Sequence, residues 1–214
     1  KLIITPDGSK VLDFGQNIAG YISFSLKARL GDKVRLLFGE MLDHDGNFSQ
    51  ANFQLSKKDK VTPKQEVSYI CHDSINIYKT QFAIFGFRYM KVETSVDFKV
   101  NDFTAHAVYS DLEVLGTFTS SNKLLNKFVE NTIWSSKGNC AELPTDCPTR
   151  ERHGWSGDAQ IFTKSACYFF NFEPFAKKYV QDLMDWQNKK GTYPQIAPAG
   201  GVDFYMSSLN GSVG

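Results

Sequence analysis

The chain has 214 residues, 42% hydrophobic and 22% charged, with a formal net charge of +1. This is enough apolar chain for one large domain or two smaller ones, and the composition argues against disorder. A near-neutral balance without a basic run makes nucleic acid and anionic membranes poor partners, and no apolar stretch has the length needed to span a bilayer.

The chain begins inside an apparent strand, "KLIIT", with no visible signal peptide, as a piece of a longer protein would. "PDG" then supplies a turn before "VLDFGQN". In "GYISFSLKARL", Ile22, Phe24 and Leu26 alternate with Tyr21, Ser23 and Ser25, the period of a half-buried strand. "GDKVRLLFGEML" reads as the next strand and "DHDGNF" as a turn. "VSYICHD", "YKTQFAIFGFRYMKVE" and "FTAHAVYSDLEVLGTFT" continue the pattern. Many short strands between turn signals predict an antiparallel sandwich.

Near Ser120 the period changes. "SSNKLLNKFVENTIWSSKGN" places Leu124, Leu125, Phe128, Val129, Thr132 and Ile133 on one helical face. Ser120 or Ser121 is the expected N-cap and Gly138 the stop. A second helix is expected in "DAQIFTKSACYFF", with Asp158 placed as its cap. A third is expected in "EPFAKKYVQDLMDWQNKKG", with Pro174 in its first turn and Gly191 after its end. Three such helices leave apolar faces that need further partners. "AGGVDFYMSSLNGSVG" carries no clear amphipathic pattern, so the helical half reads as incomplete.

Between the first two helices lies a long polar loop, about Asn139 to Ser156, and "DCPTRERHGWSGDAQ" runs from it into the second helix. Loops of this length in compact domains are often functional. Each residue has an ordinary explanation: Asp158 as a cap, Asp146 at a turn, Glu151 in a surface ion pair with Arg150 or Arg152, and Trp155 in a core. Together they suit sugar chemistry. Glycoside hydrolysis uses one protonated carboxyl to release the leaving oxygen and one carboxylate to activate water or attack. Burial or neighbouring carboxylates keep such an acid protonated. If the loop folds back, Asp146 and Asp158 bring that negative charge towards Glu151. In an extended loop, Arg150 and Arg152 need not face it. Trp155 offers an apolar plate to a sugar ring.

Serine-hydrolase, P-loop and metalloprotease motifs are absent. Cys71, Cys140, Cys147 and Cys167 show no zinc-ligand spacing, so no metal or other cofactor is expected and all four read as buried free thiols.

The loop resembles the signature of bacterial α-L-rhamnosidases, inverting glycoside hydrolases with an (α/α)6 barrel. "DFGQNIAGYISFSL", "GDKVRLLFGEMLDHDGNF", "FGFRYMKVE", "YSDLEVLGTFTSSNKLLNKFVENTIWSSKGN" and "GTYPQIAP" match further landmarks in order, from Val11 to Pro198. The resemblance implies a multi-domain β-plus-α chain: an antiparallel β-sandwich over residues 1–112, then the first helices of a truncated (α/α)6 barrel over 113–214. It implies Glu151 as general acid, Asp146 and Asp158 as sugar-binding residues supporting it, Trp155 lining the rhamnose pocket, and Arg150 shaping it. His153 stands where the family commonly has Leu.

The family's general base is a later glutamate, expected beyond Gly214. An inverting pair needs its carboxyls roughly 6.5–9.5 Å apart. The expected substrate is a terminal α-L-rhamnoside, in a rhamnose-containing glycoside or polysaccharide, and a homodimer is compatible with this. Cytoplasmic, periplasmic and secreted locations stay open. The alternative is a non-catalytic carbohydrate-binding fragment.

Overall fold

The computed structural model describes residues 1–53 and 65–199. Beyond Ala199, the tail in which no amphipathic helix is expected lies outside the described residues. Two compact units divide the rest. The first is Lys1–Val108 with Pro148–Arg150; the second is Tyr109–Cys147 with the described residues from Glu151 on.

The first unit contains β1 (Leu2–Ile4), β2 (Lys10–Ala28), β3 (Lys33–Gly39), β4 (Glu66–Ile70), β5 (Ser74–Lys79), β6 (Phe85–Thr94) and β7 (Phe103–Ala107). They form one antiparallel sheet with the path β1-β2-β6-β3-β4, while β5 and β7 also pair with β2. "VLDFGQN" and "GYISFSLKARL", read separately above, belong to one 19-residue strand, β2. A register shift between Asp13 and Ile18, where Gly15 takes φ +83°, bends the strand without ending it. The N-terminal half of β2 pairs with β1 and β6, and its C-terminal half with β7 and β5. The sheet therefore curls over itself. Phe24 of β2 meets Tyr69 of β4 edge-on at 5.3 Å, although these strands are not neighbours along the path. This is the sandwich that the period-two runs predict.

Burial follows the alternation. Ile22, Phe24 and Leu26 are 3% exposed or less, whereas Tyr21, Ser23 and Ser25 lie on the other face. Phe38 and Phe87 are fully buried with ring centroids 4.9 Å apart. Each buried ring of this kind contributes roughly 1.5–3 kcal/mol. Thr149 is buried in this unit, its carbonyl accepting from Gln65 Nε2 at 3.1 Å. Asp13 is buried as well and is held by Arg88 in two hydrogen bonds, 2.8 and 3.1 Å. Those bonds keep the Asp13 carboxyl below the usual carboxylate range, against the opposing pull of desolvation.

Two expected strands are shorter than their apolar runs. "YKTQFAIFGFRYMKVE" breaks between β5 and β6, where Phe82 takes φ +57° and is fully exposed. A left-handed residue cannot continue the pleat. "FTAHAVYSDLEVLGTFT" is a strand only to Ala107; further on, Val114 makes a single bridge to Phe170.

The second unit contains α1 (Lys123–Gly138), α2 (Ser156–Ala166) and α3 (Glu173–Asp185). Asn122 caps α1, accepting from the backbone of Leu124 and Leu125 at 2.9 and 3.2 Å. Ser120 lies two residues before that cap, its Oγ accepting from Asn122 N–H at 3.2 Å and its hydroxyl donating to Asn126 Oδ1 at 2.9 Å. Gly138 is the last helical residue and Asn139 the C-cap. Helix α2 starts two residues before Asp158, which therefore sits in the first turn rather than at the cap. It ends before "CYFF", where Phe170 turns away to bridge Val114. Helix α3 has Pro174 in its first turn, as expected, but ends at Asp185. Gly191 lies further on at φ +84°, in a turn closed onto Asn188.

One core cluster of this unit is Leu112, Cys140, Ala166, Phe170, Phe172 and Phe175, with Phe162, Phe169 and Ile133 packed against it, and a second is Ala159, Tyr179, Leu183 and Ala197. Much of the predicted α1 face is open, with Leu124 82% exposed and Phe128 66%, while Val129 and Thr132 are half-buried. Cys71 and Cys140 are buried, but Cys147 is half-buried and Cys167 exposed, which corrects the expectation of four buried thiols. Cys167 follows the last turn of α2, beyond the helix's packed face. No described helix is long and apolar enough to cross a membrane.

Candidate active site

The stretch from Asp146 to Gln160 leaves α1 behind and enters α2 through a folded loop. Its backbone is not extended. Pro148–Glu151 forms a turn, and Arg152 follows at φ +57°. A non-glycine residue in that region is uncommon and is found where the surroundings enforce it. Side-chain alternation along an extended strand therefore does not apply, and the expectation that Arg150 and Arg152 turn away from Glu151 loses its geometric basis.

What closes the loop is Asp146. Its backbone N–H donates to the His153 carbonyl at 3.0 Å, and its carboxylate accepts from the His153 N–H at 2.9 Å. The bond uses the His153 backbone and places no demand on its side chain. Upstream, Thr145 N–H donates to the Asn139 carbonyl at 2.9 Å, and inside the turn Glu151 N–H donates to Cys147 Sγ at 3.2 Å.

A later segment fixes the loop's far end. Trp155 bridges Ile196, Ser156 N–H donates to the Gln195 carbonyl at 2.8 Å, and Ala197 N–H donates to the Gly154 carbonyl at 3.0 Å. The Tyr179 hydroxyl donates to the same Gly154 carbonyl at 2.7 Å. Burial, with Asp182 and Asp158 adding to it, pushes this phenol up, so it remains a donor. Only glycine fits at 154. A Cβ there would lie 2.5 Å from the Ala197 carbonyl oxygen and 2.7 Å from Leu143 Cδ1.

The structure sorts the expected site residues into two pairs and one outlier. Asp146 and Asp158 line one cavity of about 480 Å³ between α1 and α2, with Asn139, Thr145 and Ser165 on its wall. Glu151 and Trp155 form the second pair, the indole Nε1–H donating to Glu151 Oε2 at 3.2 Å. Neither of them lines that cavity. Arg150 is grouped with Pro148 and Thr149 in the first unit. A carboxylate-lined cavity between helices with small polar side chains can accept the hydroxyls of a polar ligand.

Sequence reasoning missed Tyr179 and the return of Gln195–Ala197, and it gave Arg152 no left-handed backbone and Gly154 no crossing contacts. "GTYPQIAP" stood out as a landmark, but nothing in its spacing says that it pairs with Trp155. Gln195 is buried, and its Nε2 has no hydrogen-bond partner among the described residues.

Residues 3–109 match the bacterial alpha-L-rhamnosidase concanavalin-like domain, and residues 113–211 match the bacterial alpha-L-rhamnosidase six-hairpin glycosidase domain. The chain belongs to the bacterial alpha-L-rhamnosidase family.

An alpha-L-rhamnosidase from Alteromonas sp. (strain LOR) is 34% identical over 88% of this chain and 20% of its own length. One from Streptomyces avermitilis is 32% identical over 91% of this chain and 18% of its own. Among solved structures, the Streptomyces avermitilis alpha-L-rhamnosidase complexed with L-rhamnose aligns with a TM-score of 0.85 at 31% identity, over 94% of this chain and 19% of that one. The enzyme from Dictyoglumus thermophilum aligns at 0.82 and 30% identity, over 92% of this chain and 22% of that one. The chain thus spans about a fifth of the length of the relatives it matches.

Proposed function

We propose that this chain is part of a glycoside hydrolase that releases terminal α-L-rhamnose from a rhamnose-containing glycoside or polysaccharide by an inverting single displacement. Residues 1–112 form its β-sandwich domain and 113–214 the N-terminal part of its catalytic barrel. The observation that carries the reading is a cavity with Asp146 and Asp158 among its lining residues, in a chain of this family, with the Glu151–Trp155 pair outside that lining on the same motif. The Streptomyces avermitilis relative is seen with L-rhamnose, which supports a rhamnosyl group as the ligand here.

In this mechanism Glu151 is the general acid and delivers its proton to the glycosidic oxygen as the bond to the anomeric carbon breaks. Asp146 and Asp158 accept from sugar hydroxyls. Trp155 lies against the apolar face and methyl group of the 6-deoxy sugar, and Arg150 shapes the pocket. A glutamate from later in the barrel, outside these 214 residues, activates the water.

The test is Glu151→Gln in the whole protein. On a natural rhamnoside, kcat falls by about 10²–10⁴. With a nitrophenolate leaving group, which needs little protonation, the loss is far smaller. Near-wild-type turnover of the natural glycoside by this variant would overturn the assignment.

A further inference from the structure

We propose that Trp155 is a positioning residue for Glu151, acting through its indole N–H, in addition to serving as an apolar plate. This rests on the reading of Glu151 as the proton donor. The indole nitrogen is a donor only, so the 3.2 Å bond to Glu151 Oε2 has one possible direction.

Both ends of the bond are held. Arg152 at φ +57° reverses the chain between the two residues, which brings the fourth residue after Glu151 back over its carboxylate. The Trp155 backbone is bridged to Ile196, and the Gly154 carbonyl before it is gripped by Ala197 N–H and Tyr179 OH. The Glu151 backbone is tied to Cys147 Sγ. A glutamate carboxyl otherwise rotates about three side-chain torsions, and each wrong rotamer moves the proton out of reach of the leaving oxygen.

The bond also distinguishes the two carboxyl oxygens. An oxygen that accepts an N–H keeps its carbonyl character in the acid form, so the acidic proton sits on Oε1. In the reaction that proton moves from Oε1 to the glycosidic oxygen. The bond from the anomeric carbon to that oxygen breaks, its electron pair stays with the oxygen, and Glu151 is left as a carboxylate whose Oε2 already has a donor. Trp155 thus aims the proton before transfer and stabilises the anion after it.

The experiment compares wild type, Trp155→Phe, Glu151→Gln and the double variant in the whole protein. The substrates are p-nitrophenyl α-L-rhamnoside and methyl α-L-rhamnoside. Phenylalanine keeps a plate and removes the N–H. Trp155→Phe is expected to lower kcat on the methyl glycoside by about tenfold or more beyond any loss on the nitrophenyl glycoside, while any change in KM from the altered plate is shared by both substrates. In the Glu151→Gln background the same change is expected to have no further leaving-group-dependent effect. The ratio of the two kcat values does not depend on how much of a preparation is folded, so partial misfolding does not obscure the result. Equal losses on both substrates, or a rise in KM alone, would overturn the positioning role and leave the plate. If Glu151→Gln itself shows no leaving-group dependence, the assignment of the acid falls whatever Trp155→Phe does.

Discussion

The two units solve the burial problem differently. In the β unit, Val11, Ile22, Val34, Leu36, Phe38, Phe87 and Met90 are completely buried, because a curled antiparallel sheet can cover its own inner face. In the helical unit, burial centres on two small clusters, one around Phe170 and one around Tyr179 and Leu183, while Leu124, Phe128 and Ile161 stand 82%, 66% and 75% exposed. A helix presents an apolar stripe that only another element can cover. A sheet that folds over supplies its own partner; hairpins of helices need more hairpins. The sequence matches a six-hairpin domain, and three helices are described.

The largest effect that sharpens this contrast comes from core truncation. Phe87→Ala should cost about 3–5 kcal/mol, and Phe128→Ala in this same chain no more than about 0.5 kcal/mol, both read from denaturant unfolding. Equal costs would mean that the two units are packed alike.

A smaller effect, confined to the β unit, concerns acid stability. Asp13 has its carboxyl lowered by the Arg88 hydrogen bonds, so its folded-state value lies below its unfolded one, near 3.8. Its contribution is present above the unfolded value and is lost as pH falls through the folded one. Asp13→Asn should therefore destabilise at neutral pH by about 1–3 kcal/mol and flatten the loss of stability below about pH 4. A thermal melt series across pH checks both parts.

The smallest effect lies in the helical unit. Asn122→Ala should cost about 1 kcal/mol, and Ser121→Ala close to nothing, because the cap is Asn122. Helical circular dichroism during unfolding separates them.

Much of this architecture was legible because periodicity reports burial directly. The alternation through Ile22, Phe24 and Leu26 and the change of period at Ser120 both survive in the structure. Boundaries were less legible. One strand was read as two because its alternation breaks before Gly20, next to the register shift between Asp13 and Ile18, and a long run was read as unbroken because Phe82 does not announce a left-handed conformation. The cap of α1 was misplaced because serine and asparagine compete for the same role, and only geometry shows which side chain reaches the free N–H groups. At the site, the residue types were readable as a group and their partners were not. That Asp146 holds the His153 backbone, and that the Trp155 indole reaches Glu151, depends on a reversal at Arg152 that no spacing rule encodes.

Gly154 is where three parts of the chain cross: the motif, the Tyr179 hydroxyl 25 positions later, and Ala197 beyond it. The motif is therefore contiguous in sequence but not in the order in which it becomes structured. During synthesis, "DCPTRERHGW" leaves the ribosome well before the residues that hold its far end. Non-local contacts of this kind form late, after loop-closure entropy has been overcome. A nascent chain arrested before Tyr193 would carry every side chain of the motif without the contacts from Gln195–Ala197 that fix its far end, and a ligand that recognises the fully held loop would distinguish that chain from one released after Pro198.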